Sequence, residues 1–360
     1  MASRIGHGSP GGYACAALFA LLAFAPLARS QTEETVSEPV RKILAFDARN
    51  VATKKEYRIA VLAECPPPGG LRDRYCQARL EGLRAAAKKY GFEFEIYFAN
   101  FNPEAQRPQV EESVAQEFDG YVFAPTAADP GCAMWTDHLV PTGKPVVSVD
   151  LPMCNDPDHT PGLAATVLMQ SQAYYDADVE FAFRTCERPC YVAAVGGFDG
   201  SGLFQVWRNA IERASTLYPD VHLLVDEPGN FDWRVAREKV RQGLRNNPEI
   251  NVVLSAWDEM SRGVEQAIRS AHKLPGRDVR IYSMGATRQG VAKVAQGIYF
   301  ETTVLLPWEE GYYSAVAVVA ALEGEPLDGF VNEAELPRVT EGPGSILLTR
   351  ENVSLFEPNY

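Results

Sequence analysis

Short apolar runs alternate with amphipathic stretches along most of the chain. Val252, Val253 and Leu254 form a β-branched run too short for a helix, and Met260, Val264, Ala267, Ile268 and Ala271 follow at spacings of three and four. The first pattern predicts a buried strand and the second a helix. Between them stand Trp257, Asp258 and Glu259, at the point where a parallel strand hands over to its crossover helix. In an open α/β sheet that edge is where ligands bind, so Trp257 and Asp258 become candidates for contact with a small molecule. Simple capping of the helix by Asp258 or Ser261 is the competing reading.

The same alternation starts at residue 58. Strands are predicted over 59–62, 93–97, 120–124 and 145–149, with helices over 74–90, 104–117 and 133–142. Gly91 closes the first helix as a left-handed cap would, and Gly143-Lys144-Pro145 marks a turn into the fourth strand. After a loop over 151–162 rich in Pro, Asp and Asn, a second set begins. Helices are expected over 170–184, 204–217, 234–245 and 262–271, and strands over 191–195, 222–225, 251–254 and 280–283. Regular βα alternation predicts parallel sheets wrapped by helices on both faces.

Residues 1–30 stand apart from this pattern. Arg4 precedes an apolar run over 16–27, and Ala28-Arg29-Ser30 offers small residues for cleavage, so a signal peptide cut near Ser30 and export to the periplasm are expected. The run is short for a membrane span and contains Pro26; no later apolar run of about 18 residues replaces it, so no membrane insertion is expected. Residues 31–55 are polar without a sustained period and predict a loose N-terminal extension. The formal net charge of −13 and the absence of a Lys/Arg cluster argue against nucleic acid as a partner.

Removal of the leader takes Cys15 and leaves six cysteines in a compartment where disulfides persist. Short separations favour Cys65 with Cys76, Cys132 with Cys154, and Cys186 with Cys190. A metal site is the alternative, but no histidine lies close in sequence to Cys186 and Cys190, and none of the five histidines has ligand spacing to another. No metal and no cofactor are expected. Gly196 to Gly202 follows a strand and opens a helix, yet lacks the Lys-Ser/Thr ending of a phosphate loop and reads as a cleft loop. No Gly-x-Ser-x-Gly elbow is present, so the residues offer no machinery for an enzyme.

Several segments, read in order, carry a resemblance. They include Arg58-Ile-Ala-Val-Leu62, Gly82 with Ala85-Ala-Ala87, Gly120-Tyr-Val-Phe-Ala-Pro-Thr126, Lys144-Pro-Val-Val-Ser-Val-Asp150, Asn230-Phe-Asp232 and Asn247-Pro-Glu-Ile-Asn-Val252. Asp258-Glu-Met260 with Gly263, Gly297, Thr302-Thr-Val-Leu-Leu-Pro307, Gly311 and Leu322-Glu-Gly324 continue the series. Together they resemble the ribose- and galactose-type periplasmic binding proteins, the solute-binding components of sugar ABC importers. The resemblance implies two doubly wound parallel-sheet α/β domains joined by a three-crossover hinge. One domain would comprise 56–163 plus 308–326 and the other 164–304 plus 335–350, with crossings near 164–167, 304–307 and 327–334. A monomer binding a small-molecule ligand in the interdomain cleft is implied, with an ABC importer permease as partner. An exported sensing subunit for a receptor kinase is the alternative. Repressors of the lactose type share the fold, but they carry a DNA-binding segment where this chain has its leader.

Family ligand positions map to Asp150, Gln205, Phe231 and Asp258, with Glu64 beside the Pro-rich loop and Arg208 three residues beyond Gln205 on the same helix. The pattern departs from the family at several of them. Leu151 and Gln205 stand where arginines are usual, Trp257 replaces an asparagine, and Leu305 replaces a glutamine. A sugar needs many planar donors and acceptors, and here aromatics are kept while donors are lost. With Glu64, Asp150 and Asp258 near the cleft, the balance shifts toward a cationic or less hydroxylated ligand held by Trp257 and Phe231.

Overall fold

The computed structural model describes residues 36–50, 53–67 and 74–360. The leader reading for 1–30 lies outside the described residues. Two parallel-sheet α/β domains follow, each built on six strands. In the first sheet these are β1 (Arg58–Ala63), β2 (Glu93–Phe98), β3 (Gly120–Phe123), β4 (Val146–Val149), β5 (Ala165–Leu168) and β11 (Phe330–Asn332), in the order β11-β5-β4-β3-β1-β2 and all parallel. The second contains β6 (Cys190–Gly196), β7 (Val221–Pro228), β8 (Val252–Ser255), β9 (Arg280–Gly285), β10 (Glu301–Val304) and β12 (Leu347–Leu348), in the order β12-β10-β9-β8-β6-β7. Only the edge strand β12 runs antiparallel, against β10.

Burial explains why the central strands are short and apolar. Every residue of β3, β4, β5 and β8 is buried, because helices cover both faces of a parallel sheet. Each fully buried Val or Leu contributes about 1.5–3 kcal/mol of transfer free energy. The helices of the first domain are α1 (Glu38–Ala48), α2 (Arg74–Tyr90), α3 (Pro103–Ala115), α4 (Ala128–Met134) and α10 (Pro307–Leu322). In the second domain α5 (Gln172–Thr185), α6 (Gly202–Leu217), α7 (Trp233–Asn246), α8 (Asp258–Ser270) and α9 (Arg288–Ala295) serve the same purpose, and α11 (Pro337–Thr340) follows the last crossing.

Three of the sequence expectations change. The first crossing, placed at 164–167, falls instead on β5 (Ala165–Leu168), paired with β4 on one side and β11 on the other. The chain therefore leaves the first sheet after Leu168, returns after β10 through Leu305 and Leu306 into α10, and leaves again after β11. A four-residue strand behind an irregular loop shows no period of its own; its partners on both sides create it. The expected loose extension contains α1, whose Val40 and Ile43 are fully buried. Asp47 on this helix accepts hydrogen bonds from Tyr90 Oη and Tyr312 Oη at 2.7 Å each and pairs with Lys89 Nζ at 2.7 Å. The helix expected over 133–142 begins earlier, as α4, and continues through a π turn over Trp135–Leu139 into a 3-10 turn over Val140–Thr142.

The sulfur pairs are those that spacing favoured: Cys65–Cys76, Cys132–Cys154 and Cys186–Cys190, with Cα separations of 6.0, 4.9 and 6.0 Å. Glu64 lies within 4.8 Å of the first pair, but those two sulfurs are bonded to each other rather than open to a metal. Among the described residues no helix is long and apolar enough to cross a membrane.

Candidate functional site

Strand order reverses between β1 and β3 in one sheet and between β6 and β8 in the other, and a crevice opens at the carboxyl ends of such strands. Residues just past these ends make the site. Glu64 follows β1, Asp150 follows β4, Gly197 and Phe198 follow β6, and Trp257 follows β8.

On the first-domain side the organising group is Arg79 of α2, which the sequence reading did not single out. Helices α2 and α10 cross so closely that a Cβ at Gly82 would lie 1.9 Å from the Trp308 carbonyl oxygen, and one at Gly311 1.9 Å from that of Arg79. Their contact face therefore requires glycine, and it brings Arg79 beside Glu310 at the start of α10. Arg79 Nη2 donates to both carboxylate oxygens of Glu64 at 2.5 Å, and Nη1 lies 3.2 Å from Glu310 Oε1 and 3.8 Å from Asp150 Oδ1. Tyr75 donates its hydroxyl to Glu310 Oε2 and lies 3.3 Å from Gln170 Oε1, while Gln170 donates to Tyr175 Oη at 2.9 Å. Burial works against the Arg79 charge, but Glu64, Glu310 and Asp150 outweigh it and hold the guanidinium protonated. Burial pushes the Glu310 carboxyl up, with Arg79 and Tyr75 opposing. Glu333, just after β11, is fully buried with neither carboxyl oxygen hydrogen-bonded; burial and then the nearby Glu310 push its carboxyl well up.

The second-domain side is built differently. Trp257 precedes α8 without a side-chain cap, and Asp258 is the first helical residue. Its carboxylate is not turned to the cleft but consumed inside the domain. Oδ1 accepts from Ser283 Oγ at 2.6 Å and Thr302 Oγ1 at 2.9 Å, and Oδ2 accepts from Thr287 N and Oγ1 at 2.8 Å each. Burial pushes this carboxyl up to about 6, and those donors limit the rise. Deeper still, Thr303 Oγ1 lies 2.6 Å from Asp178 Oδ1 and 2.8 Å from Glu301 Oε1, and burial raises both acids.

Aromatic rings join the two sides. Tyr75 meets Trp257 edge-on with centroids 6.1 Å apart, and Phe101 meets Phe198 at 5.4 Å, with Phe231 packed edge-on against Phe198 at 5.4 Å. Leu151 contributes too, since a Cβ at Gly202 would come 2.4 Å from Leu151 Cδ2. Leu151 thus makes an apolar contact with the start of α6.

The fold thus gathers Glu64 and Asp150 around Arg79, and brings Trp257 and Phe231 onto the facing side. Gln205 and Arg208 stand elsewhere, on the exposed face of α6. The Gln205 amide donates to Asn209 Oδ1 at 2.9 Å, and Arg208 pairs with Asp226 at 2.7 Å while lying 5.5 Å from the centre of the Phe204 ring. Arg79 was legible in principle: it falls on the stripe Tyr75, Arg79, Gly82, Ala86 and Tyr90, where an arginine marks a buried charge needing partners.

A family model described as periplasmic binding protein domain matches residues 68–326. The chain belongs to the periplasmic binding protein domain family. This family consists of binding proteins rather than enzymes. Solved structures with the same two-domain architecture agree. A Bacillus halodurans C-125 ABC transporter solute-binding protein with bound myo-inositol is 18% identical, covers 84% of this chain and 98% of its own, and has a TM-score of 0.71. The Caulobacter myo-inositol binding protein is 18% identical over 85% of this chain and 98% of its own, also with a TM-score of 0.71. The arabinose ABC transporter component from Shewanella sp. ANA-3, bound to L-arabinofuranose, is 20% identical over 82% and 93%, with a TM-score of 0.69. No curated protein matches the sequence.

Proposed function

We propose that this chain, exported and freed of its leader near Ser30, captures a small solute between its two domains and delivers it to the permease of an ABC importer. The observation that carries the reading is the facing of aromatic rings from both domains, Tyr75 and Phe101 against Trp257, Phe198 and Phe231, beside a buried guanidinium–carboxylate network. A cleft with apolar walls and a few fixed polar groups suits a small ligand. The Bacillus halodurans and Shewanella proteins named above are ABC transporter components, which favours import over a receptor-kinase partner.

The ligand favoured is a neutral ring bearing hydroxyl groups. A cation would need an uncommitted carboxylate, yet Glu64 is spent on Arg79 and Asp258 on four donors within its own domain. Glu64, Asp150, Trp257 and Phe231 are assigned to the cleft wall, and Asp258 supports Trp257 from behind. The transporter proteins described with myo-inositol and L-arabinofuranose add weight to this class.

Native mass spectrometry of periplasm-expressed protein, with a thermal-shift screen of sugars, polyols and amines, tests the proposal. A ligand at a hundredfold excess over its Kd should add about 2.7 kcal/mol of stability. Asp150→Asn should leave polyol binding within about tenfold, because an amide still accepts a hydrogen bond. Amines alone raising the melting temperature would sink the ligand class; no shift with any solute would sink the function.

A further inference from the structure

The segment Phe356–Tyr360 has no assigned role, and it runs into the cleft. Phe356 is buried, Arg338 donates to the Glu357 carbonyl, and Asn359 Nδ2 donates to Glu309 Oε2 at 3.1 Å, which ties the segment to the first domain at α10. Tyr360, 7% exposed, then reaches the second domain. Its main-chain oxygen accepts from Arg288 N at 3.1 Å, and its hydroxyl donates to the Gly285 carbonyl at the carboxyl end of β9. The ring stacks on Trp257 with centroids 6.1 Å apart and planes at 27°, and meets Tyr75 edge-on at 6.3 Å.

These contacts describe a subsite and its occupant together. Trp257 supplies a flat face, Tyr75 a second aromatic wall, and Gly285 a carbonyl that accepts a hydrogen bond from a hydroxyl. A planar ring with a hydroxyl at its edge satisfies all three, and Tyr360 is such a ring. Because the segment is bonded to Glu309 on one domain and to Gly285 and Arg288 on the other, it also links the domains independently of the three chain crossings.

We propose that Tyr360 is an intramolecular occupant of the solute cleft, holding the ligand-free domains together and yielding the Trp257–Tyr75 subsite to a hydroxylated ring when solute binds. The inference rests on the cleft being the solute site. A self-occupied site lowers apparent affinity by the fraction of molecules in which the site is vacant, so removing the occupant tightens binding.

The test compares the full chain with Tyr360→Ala, Tyr360→Leu and Tyr360→Phe. In small-angle scattering without solute, Tyr360→Ala should have a larger radius of gyration than the unmodified protein, and Tyr360→Phe, which keeps the stacked ring, should not. If Tyr360→Ala does not fold, Tyr360→Leu keeps apolar volume without stacking and carries the same comparison. Titration with myo-inositol and L-arabinose should then show affinity about fivefold or more tighter in the variant that lacks the ring. Unchanged scattering overturns the proposal, and so does weaker solute binding, which would make Tyr360 a wall of the site. Scattering that changes while the unmodified protein and all variants bind no solute supports the latch and instead counts against the solute-binding role.

Discussion

The two faces of the cleft keep buried carboxyls in opposite ways. On the first domain Glu64, Glu310 and Asp150 gather around the guanidinium of Arg79, so burial is compensated by charge. On the second, Asp258 is held by three hydroxyls and one backbone N–H, and Asp178 shares Thr303 with Glu301; no cation contacts these acids in the contacts described. A charge network loses its reason when one member is removed, whereas a carboxyl held by neutral donors can respond by taking up a proton. The Arg79 network should therefore be sensitive to mutation, and the carboxyls that no cation contacts, Asp178 and Glu301 on the second face and Glu333 on the first, to pH.

The largest expected effect is on the first face. Arg79→Leu leaves three carboxyls without their cation and should cost about 3–5 kcal/mol in urea denaturation. Arg79→Leu with unfolding unchanged would show that the network is dispensable and erase the contrast. Next comes Asp258→Asn, where the amide keeps one acceptor oxygen and turns an NH2 toward donors that the carboxylate now satisfies. A loss of about 1–3 kcal/mol is expected, read as a lower melting temperature. Activity-type readouts alone would misplace this residue, because lost support for Trp257 would mimic a lost ligand contact.

The smallest expected effect is a slope. Burial first, against hydrogen bonds from Thr303 and Glu301, raises the Asp178 carboxyl from 3.8 to about 7. A group whose folded pKa lies above its unfolded one stabilises the fold fully below the unfolded value and loses that stabilisation as pH rises through the folded value. Between pH 4 and about 7 the protein should therefore lose stability from this group as pH rises. Asp178→Asn should flatten that part of the profile of melting temperature against pH. An equally steep profile in the variant would assign the slope to other acids, such as Glu301 or Asp258.

Much of the architecture was written locally. Runs such as Val252–Ser255 and Gly120–Phe123 are apolar on both faces, and the helices between them keep a clear stripe, so βα alternation and the parallel sheets were legible. The position of Trp257 at a strand end was legible for the same reason. Cysteine spacing over 11, 22 and 4 residues matched the bonded pairs because short loops bring sulfurs together with little closure entropy.

Tertiary structure decided what those residues do. Asp258 read as a ligand carboxylate, but the donors that consume it come from positions 283, 287 and 302, which only the sheet order of β8, β9 and β10 brings alongside. Arg79 gained its role from Gly82 and Gly311, which let α2 and α10 approach closely enough to set it between Glu64 and Glu310. Strand β5 lacks a pattern of its own and exists because partners distant in sequence flank it. Tyr360 lies 103 residues beyond Trp257, counted as 360 minus 257, and no period connects them. Local sequence fixes which face of an element is apolar; the partners of a buried charge or ring depend on which elements the whole chain packs together.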